Sequence, residues 1–385
     1  MLLLSALLAC LPQNPLPATP SSPTAAPAQA PREASADRDS WFAPDEAAAC
    51  SAAAERGLQW LASRQTDAGC WTGLVGHKMN DDYVELPAGM PVSQQQRTGH
   101  GHLGVTAFCG MAFLAGGHLP DRGQYGKQVR ATLDYVLQHG LESGLLSDAG
   151  TRMYGHAFGT LFLAEIYGMA GTGAAKLALE RAVNLIVDSQ NQHGGWRYNP
   201  FDREIDLSVT VCQVQALRAA RNIGIRVPSE TIDRAIEYVR QSRVRSGRYQ
   251  GLFYYKIHGR GAYDKPNEYA INAAALTALT SAGIHDDDLR DPVLRFLEVD
   301  YAALVDYSSD HYYFWYGNYY AAQAFYQSGG AACRRFFARL SGDLLRLQRA
   351  NGSWPNRVGP GDEWSTAIAC ILLQMPKQYL PIFQR

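Results

Sequence analysis

The chain has 385 residues, of which 46% are hydrophobic, and its formal net charge is -1. A chain of this length can bury a large core and can form one to three domains. Because positive and negative charges balance, the composition gives no general attraction to nucleic acid or to an anionic membrane, and no nucleic-acid partner is expected.

The N-terminal residues have the features of an export signal followed by a tether. The first ten residues, MLLLSALLAC, are apolar but far shorter than the ~20 residues that a membrane-spanning helix needs. Their end resembles the bacterial lipoprotein box, in which the cysteine, here Cys10, is lipidated. Residues 11–44 are rich in proline, alanine and serine, which predicts a disordered tether. We therefore expect an exported protein of the cell envelope or periplasm, the alternative being a cytoplasmic protein with a misassigned start.

Six cysteines follow Cys10, and their spacing does not indicate disulfides or a metal site. Cys109, Cys212 and Cys370 lie inside apolar helical runs, where a thiol usually acts as a small hydrophobic group. No CxxC motif or Cys/His pair has the spacing of zinc ligands. Free buried thiols are expected, and no metal or other cofactor is predicted.

The stretch Arg181–Trp196, RAVNLIVDSQNQHGGW, is a helix end with a built-in stop, and it recurs along the chain. Its apolar residues have the spacing of one buried helix face, Gln190 ends the helix, and the two glycines before Trp196 allow a tight turn. Arg56–Trp71 aligns with it without a gap, and Gln348–Trp354 is a third, partial copy. We call this element the Gln–Trp clasp. Weaker copies are Arg130–Leu146, with Gln138 and Gly144, and Arg234–Phe253, which lacks the Gln and the Trp.

Each clasp is followed by a loop and a second helix rich in small residues, as a helix packed on all sides requires. The helices that precede the clasps are more amphipathic, with charged residues on one side. The six predicted inner helices are His102–Gly116, Tyr154–Ala170, Leu207–Arg221, Glu268–Ala282, Tyr316–Gln327 and Trp364–Met375. Alternating polar outer and apolar inner helices predict an all-α fold from residue 45 to 385, a single (α/α)6 toroid of about six pairs.

The clasp resembles the QW motif of squalene and hopene cyclases, which protein prenyltransferase β subunits share in looser form. The likeness covers nearly everything after the tether. The chain also resembles exported bacterial proteins with prenyltransferase/squalene-oxidase repeats. In that superfamily the fold is an (α/α)6 barrel, so the resemblance implies the same fold and an isoprenoid-like ligand. Fold alone does not carry function.

Two departures from that family bear on chemistry. Squalene cyclases protonate an alkene with an Asp-x-Asp-Asp motif, and the nearest match is Glu204-Ile-Asp206-Leu207-Ser208, in which Leu207 replaces the final Asp. Protein prenyltransferases bind zinc with a histidine whose place is taken by Ser365 in the run Asp362-Glu-Trp-Ser-Thr. The resemblance therefore leaves acid chemistry at Asp206 open and argues against zinc.

In a toroid the loops that enter the inner helices meet at one end of the central lumen, so polar residues at those entries are candidate site residues. Asp206, Glu204 and His156 are the predicted catalytic group, with Asp206 as a general acid; helix capping by Asp206 through Ser208 and Val209 is the structural alternative. The predicted cavity and substrate-binding residues are His102, Ser208, Glu268, Tyr312, Trp315, Tyr316, Tyr319, Asp362 and Trp364. Further polar entry residues are His100, Tyr154, Asn272, Asn318, Glu363 and Ser365.

The segment Tyr307–Tyr326, YSSDHYYFWYGNYYAAQAFY, has the highest aromatic density of the chain. Such rings can line a cavity and stabilise a carbocation through their faces, although aromatic residues at helical spacing are more often core.

Three functions fit these features. The first is a toroid with an aromatic-lined cavity for an apolar, isoprenoid-like ligand, with acid-initiated chemistry at Asp206. The second is a non-catalytic module that binds such a ligand or an unidentified protein at the cell envelope. The third is a carbohydrate hydrolase or lyase, for which Asp206 with Asp362 or Glu363 would supply paired carboxylates.

Overall fold

Helices follow one another along the chain in pairs, joined by glycine-rich turns. The computed structural model describes residues 44–73, 101–148, 152–306, 312–356 and 359–384. The helices are α1 Pro44–Arg64, α2 Leu103–Ala115, α3 Gly126–Gln138, α4 Met153–Ala170, α5 Gly173–Asp188, α6 Leu207–Asn222, α7 Ser229–Gln241, α8 Tyr269–Ser281, α9 Asp287–Asp306, α10 Tyr312–Ser328, α11 Gly330–Leu347 and α12 Asp362–Gln374. Two short 3-10 turns follow, Met375–Lys377 and Pro381–Phe383. The described residues contain only isolated β-bridges and no strand.

The even-numbered helices form an inner ring, and the ring is closed. Each inner helix packs against the next, from α2 through α4, α6, α8 and α10 to α12, and α12 packs against α2. The odd-numbered helices lie outside, and α1 packs against α12 and α11. The predicted all-α (α/α)6 toroid is confirmed.

Burial follows this division, which explains the composition of the two kinds of helix. Every residue of α2 is buried, because α2 has neighbours on all sides. On α7 the buried residues form a single stripe that includes Ile232, Ala235, Ile236 and Val239. Small residues on the inner helices let six of them approach one another around one axis.

The Gln–Trp clasp fastens one outer helix to the next. Gln190 Nε2 donates to Gly194 O at 2.9 Å, across its own turn, and to Thr231 O at 2.9 Å, on α7. Trp196 folds back, so that its Nε1 donates to Ile186 O on α5 at 2.8 Å. The Trp196 indole thus satisfies a carbonyl that the end of α5 leaves open, whereas Gln190 ties its own turn to the first turn of α7.

The other two copies of the clasp repeat this geometry around the ring. Gln65 Nε2 donates to Gln128 O on α3 at 3.0 Å. Gln348 Nε2 donates to Ala53 O on α1 at 2.8 Å, which joins the last outer helix to the first. Trp71 and Trp354 also return to their own helices, with Nε1–O distances of 2.9 and 2.7 Å.

Beyond α12 the chain crosses the C-terminal ends of several inner helices. Gln378 Nε2 donates to Tyr326 OH on α10 at 2.6 Å, and Ile382 N donates to Glu165 Oε2 on α4 at 3.2 Å. The 3-10 turn Pro381–Phe383 packs on α4 and α6. We call residues 375–384 the terminal strap.

The structure can be compared with the predicted helix boundaries, the predicted tether and the predicted state of the cysteines. Helix α1 begins at Pro44, which is the last residue of the predicted tether. Helix α10 begins at Tyr312, four residues before the predicted start at Tyr316. The lipoprotein box with Cys10, the rest of the tether and His100 lie outside the described residues. The six cysteines from Cys50 to Cys370 are all buried, as expected. Among the described helices none has the length and apolarity to span a bilayer.

Candidate functional site

Side chains from α6 and α10 meet across the lumen, although these two helices are not neighbours in the ring. Cys212 Sγ lies 3.1 Å from Tyr320 OH, and Gln215 Nε2 donates to Gln323 Oε1 at 2.7 Å. On α4 the residues of the matching face, at helical spacing, are Tyr154, Phe158, Leu161 and Glu165. The lumen is therefore lined by α4, α6 and α10 side chains that reach towards one axis.

Aromatic rings fill the middle of the lumen. Phe108 of α2 lies 4.4 Å from Phe158 of α4, 5.2 Å from Tyr319 of α10 and 6.2 Å from Trp364 of α12, measured between ring centroids. Tyr319 and Trp364, both predicted cavity residues, thus lie at the lumen. Among the described residues this layer is packed ring against ring, and an apolar ligand would have to displace or sit beside it.

Nearer the start of the inner helices, four half-buried tyrosines gather around Ser208. We call Tyr154, Tyr198, Tyr255 and Tyr316 the tyrosine cluster. Tyr154 OH donates to Ser208 Oγ at 2.6 Å, and Tyr316 OH donates to Ser208 O at 3.2 Å. The hydroxyls of Tyr198 and Tyr255 are 3.3 Å apart, and Tyr255 OH is 3.5 Å from Ser208 Oγ. Phenols from two inner helices and two loops therefore share one hydrogen-bonding centre.

Three members of the tyrosine cluster are neutral, and two arginines border the cluster. Burial raises the pKa of Tyr154, Tyr255 and Tyr316, in each case as the largest cause, so these hydroxyls keep their protons. The guanidinium groups of Arg152 and Arg197 lie over the ring of Tyr198, at 5.1 and 4.3 Å from its centroid. The cluster thus offers ring faces, hydroxyl donors and positive charge in one place.

Asp206 lies directly beneath the cluster and is completely buried. Its Oδ1 accepts from Val209 N at 2.9 Å and from Ser208 Oγ at 2.6 Å, which is the N-cap of α6. Its Oδ2 accepts from Arg197 Nη1 in a short ion pair. The capping alternative is confirmed at Val209, whereas Ser208 contributes its hydroxyl rather than its amide. As an acid, Asp206 would first have to lose the ion pair with Arg197.

Glu204 does not join Asp206. Its side chain is half exposed and binds Lys256 Nζ at 2.9 Å. The hydrogen bond from Lys256 lowers the pKa of Glu204. The two carboxylates of the predicted acid pair are thus held by different cations, and Glu204 lies at the surface.

His156 is fully buried and both of its ring nitrogens are occupied. Nδ1 accepts from Leu146 N at 3.1 Å, and Nε2 lies 3.2 Å from Ala182 O on α5. Burial lowers the pKa of His156 to about 4, so the ring is neutral. This geometry favours a structural role, and the catalytic role remains a prediction without a free nitrogen to support it.

The bond from Leu146 to His156 is one instance of a repeated contact. In each case the backbone N–H at the end of a clasp turn donates to a side chain in the first turns of the following inner helix. The other pairs are Trp71–Thr106, Trp196–Thr210, Phe253–Asn272 and Trp354–Thr366, with distances from 2.9 to 3.1 Å. His156 thus fills a position of the repeat that elsewhere holds Thr or Asn.

Two other predicted cavity residues lie at helix starts, away from the tyrosine cluster. His102 caps α2, its Nδ1 accepting from Val105 N at 3.3 Å, and burial lowers its pKa against the opposing effect of Asp148. Glu268 precedes α8 without capping it and lies 3.7 Å from Lys265 Nζ. Burial raises the pKa of Glu268.

The aromatic segment that begins α10 divides between the lumen and the core. Tyr316 and Tyr319 reach the lumen, whereas the buried Trp315 donates from Nε1 to Pro355 O at 3.0 Å, in the loop before α12. The side chain of Tyr312 and residues 307–311 lie outside the described part of the chain.

The remaining carboxylates do not form a pair with Asp206. Asp362 binds Arg349 and accepts from Asn356 N at 2.8 Å, and Glu363 binds Arg64 at 3.2 Å. Asp206, Asp362 and Glu363 are therefore each paired with a separate arginine. Within the described residues no three His, Cys, Asp or Glu side chains are grouped so as to hold a metal ion.

Sequence reasoning missed Arg197, Tyr198 and Tyr255, although the repeat carried a signal for the two tyrosines. Tyr198 is two residues after Trp196, and Tyr255 is two residues after Phe253, the equivalent clasp position. The β-bridges Trp196–Asp206 and Arg243–Phe253 fix the extended backbone at both places. Aligning the copies beyond the tryptophan would have identified both side chains as neighbours of the site.

No protein-family model matches the chain, and no curated protein matches its sequence. Solved structures do match in fold. The type II terpene cyclase MstE from Scytonema has a TM-score of 0.55 at 13% identity, over 86% of this chain and 100% of that one. The GH76A α-1,6-mannanase of Salegentibacter sp. HEL1_6 has a TM-score of 0.60 at 9% identity, over 86% and 99%. A protein from Actinoplanes has a TM-score of 0.51 at 14% identity, over 86% and 99%.

At these identities the similarities establish the fold alone. The chain has the toroid found in a terpene cyclase and in a mannanase, two enzymes with unrelated substrates. One variant of the cyclase was solved with geranylgeranyl dihydroxybenzoate, its substrate. The fold is therefore compatible with apolar and with carbohydrate ligands, and the choice rests on the residues of this chain.

Proposed function

We propose that the protein binds an apolar, isoprenoid-like ligand at the tyrosine cluster, and that it does so without protonating the ligand. The observation that carries this proposal is the gathering of four half-buried tyrosines around Ser208, at the lumen end of a closed toroid. With the predicted export and lipid anchor at Cys10, the ligand would be met at the cell envelope.

The tyrosine cluster suits a ligand that is apolar along its length and polar at one end. The ring of Tyr316 contacts Tyr320, which contacts Tyr319, and Tyr319 in turn contacts Phe108 in the aromatic layer of the lumen. The guanidinium of Arg152 provides donors at the rim, where an oxygen-bearing end group would lie, and the hydroxyl oxygens of Tyr154 and Tyr316 can accept a bond although their protons are donated to Ser208. Small-molecule sites commonly combine such apolar walls with a few placed polar groups.

The contacts of Asp206 favour binding over acid catalysis. A general acid needs a carboxyl proton aimed at the substrate, whereas both oxygens of Asp206 accept bonds from protein donors. Breaking its buried pair with Arg197 would cost several kcal/mol. Asp206 therefore has a positioning role in this proposal: it holds Ser208 and Arg197 in place at the base of the site.

Acid-initiated chemistry at Asp206 is the second candidate, because Asp206 is the carboxylate nearest to the tyrosine cluster. Ser208 bridges the two, since its Oγ contacts both Asp206 Oδ1 and Tyr154 OH at 2.6 Å. A carbohydrate hydrolase or lyase has less support, because Asp206, Asp362 and Glu363 are each paired with a separate arginine.

The proposal is tested by thermal stabilisation of the full chain with farnesol, geranylgeraniol and squalene, followed by extraction and mass spectrometry of the ligand. We expect an increase in Tm with at least one prenyl compound, and the same compound recovered unchanged. At a ligand concentration of 100 Kd the stabilisation is about 2.7 kcal/mol. In Tyr316→Ala the ligand-induced shift should fall by more than half, since one wall of the site is removed.

Tyr379→Ala is the matched control, because Tyr379 is exposed on the terminal strap, away from the cluster. It should leave the ligand-induced shift unchanged. Equal shifts in both variants, or no shift with any prenyl compound, would contradict the proposal. A cyclised product that disappears in Asp206→Asn would instead support acid catalysis.

A further inference from the structure

Glu165 is a buried carboxyl at the strap end of the lumen, and one of its oxygens has no partner. Only 1% of its surface is exposed, and Oε1 makes no hydrogen bond. The lumen face of α4 leads to it, since Tyr154, Phe158, Leu161 and Glu165 follow one another at helical spacing. Glu165 is eleven positions after Tyr154, which places it about 16 Å along the helix from the tyrosine cluster. A buried polar atom without a partner needs an explanation.

The other oxygen of Glu165 holds the terminal strap. Oε2 accepts the N–H of Ile382 at 3.2 Å, which ties the strap to α4. A further hydrogen bond, from Gln378 Nε2 to Tyr326 OH at 2.6 Å, ties the strap to α10. Leu380 and Phe383 are buried beside them, so the strap covers apolar surface at this end of the ring.

We propose that Glu165 and the terminal strap form a proton-controlled gate: a protonated Glu165 keeps the strap closed over the lumen, and loss of its proton favours an open strap. In the closed state the carboxyl is buried and receives one N–H. A carboxylate in that place is poorly solvated, whereas opening exposes it to water. The orphan Oε1 is then the atom that carries the proton in the closed state.

The surroundings of Glu165 support this assignment. Burial raises its pKa to about 8, and the N–H of Ile382 offsets the shift only in part. The elements packed on α4 carry further titratable groups: Cys109 of α2, Lys176, Glu180, Arg181 and Asp188 of α5, Cys212, Arg218 and Arg221 of α6, and Lys377 and Tyr379 of the strap; Tyr319 and Tyr326 belong to α10, and Tyr167 to α4 itself. Tyr319, whose pKa is raised mainly by burial, is the one on which Glu165 acts, and no cation contributes to the shift of Glu165 in the described residues.

The direction of the pH effect follows from proton linkage. The carboxyl has a pKa of about 8 when the strap is closed and its ordinary value of 4.5 when the strap is open. Closing therefore takes up a proton between these values, and the closed state is most favoured below pH 4.5. The ratio of open to closed strap should rise about tenfold per pH unit from there to about pH 8, and level off above it.

Hydrogen exchange of the full chain between pH 5 and 8 tests the gate. The amides of residues 375–384 are followed by mass spectrometry, and each rate is divided by the intrinsic chemical rate at that pH. We expect the corrected opening ratio of the strap to rise about tenfold per pH unit. Amides of α7, on the outer ring, report global unfolding and should not follow the same slope.

Two variants separate the proton from the contact. In Glu165→Gln the side chain keeps its shape but does not titrate, so the corrected opening ratio should be flat with pH. In Gln378→Ala the strap loses its bond to Tyr326, so opening should increase at every pH while the slope persists. A flat profile in the unmodified chain, or the same slope in Glu165→Gln, would overturn the gate and leave Glu165 as a carboxyl that holds a buried water.

Discussion

His156 illustrates how the repeat decides the role of a single residue. A buried histidine beside a candidate acid suggests catalysis, but the ring accepts the clasp N–H of Leu146 as Thr106, Thr210 and Thr366 accept theirs. The imidazole is larger than a threonine, and its Nε2 reaches Ala182 O on the neighbouring outer helix. His156 therefore links the clasp turn at Leu146 to the outer helix α5.

Threonine should therefore replace His156 better than alanine does. His156→Ala leaves the N–H of Leu146 without a partner, removes the second contact of the Ala182 carbonyl and creates a cavity, which should cost about 3 kcal/mol or more. His156→Thr restores the acceptor for Leu146 and should recover about 1 kcal/mol of that loss. Urea unfolding measures both values, and equal destabilisation by the two variants would contradict the structural role.

The same histidine should make the protein sensitive to acid. Its pKa is about 4 in the folded chain and 6.5 in the unfolded one, so the folded state disfavours the proton. The contribution of the neutral ring is complete above pH 6.5 and is lost as the pH falls to about 4, a change of about 3 kcal/mol. His156→Thr should lose this part of the pH dependence, which unfolding curves at pH 7 and 4.5 would reveal.

Asp206 marks the limit of what its local sequence could predict. An acidic residue directly before an apolar helical run is a helix-capping signal, and the bond to Val209 N follows from local geometry. Its partner Arg197 lies nine residues earlier, on the other side of the loop that the Trp196–Asp206 bridge closes. That pairing depends on the loop path, which spacing alone does not fix.

At the scale of elements, the clasp could be predicted because its parts are local. A Gln, a glycine four residues later and a Trp (two residues after that glycine) identify a helix stop from the sequence, and the copies of this pattern set the order of the pairs. What the Gln binds on the far side was not predictable. The acceptor is a backbone carbonyl of the next outer helix, Thr231 O for Gln190, which can be any residue type.

The glycine of the clasp is required by this close approach. Gly194 has a φ of +89°, and a Cβ there would lie 2.3 Å from Arg234 O on α7. Gly194→Ala should destabilise the fold by 2 kcal/mol or more, because it combines left-handed backbone strain with a clash against rigid backbone (about 1 kcal/mol for the strain alone). Thermal or urea unfolding gives the value.

Gly224→Ala is the control that isolates the strain. Gly224 has a φ of +86° but no atom within 4 Å of its Cβ position. It should cost only about 1 kcal/mol. If both substitutions cost the same, the clasp glycine would be needed for its backbone angle and not for the approach of α7.

At the scale of the whole molecule, the number of helix pairs and the polarity of alternate helices sufficed to predict a toroid. The packing inside the lumen did not follow in the same way. Whether Phe108, Phe158 and Tyr319 meet depends on how closely six inner helices approach, and this is a property of their joint packing. Glu165 was missed for a related reason, since a carboxylate in an apolar helix is assigned to the surface until a neighbouring segment is known to cover it.

A closed ring has no terminal repeat. The junction between the last outer helix, α11, and the first, α1, which we call the seam, should therefore be as stable as the other junctions. In an open solenoid each repeat contacts only its neighbours, so loosening the last one frays that end alone. Here Gln348 joins α11 to α1 through Ala53 O, and its two Nε2 bonds match those of Gln190 inside the ring; its Oε1 also accepts from the exposed Arg56, a bond that should add little. Each glutamine gives two bonds to backbone carbonyls at 2.8 to 3.0 Å.

Gln348→Ala and Gln190→Ala should therefore destabilise the protein equally. Each leaves two partly buried carbonyls without their donor, so we expect about 1–3 kcal/mol from either substitution. Unfolding should remain a single transition whether it is followed by far-ultraviolet circular dichroism or by tryptophan fluorescence. A smaller effect for Gln348→Ala, with early hydrogen exchange confined to α1 and α11, would mean that the seam is weaker than the interior clasps and that the ring opens there first.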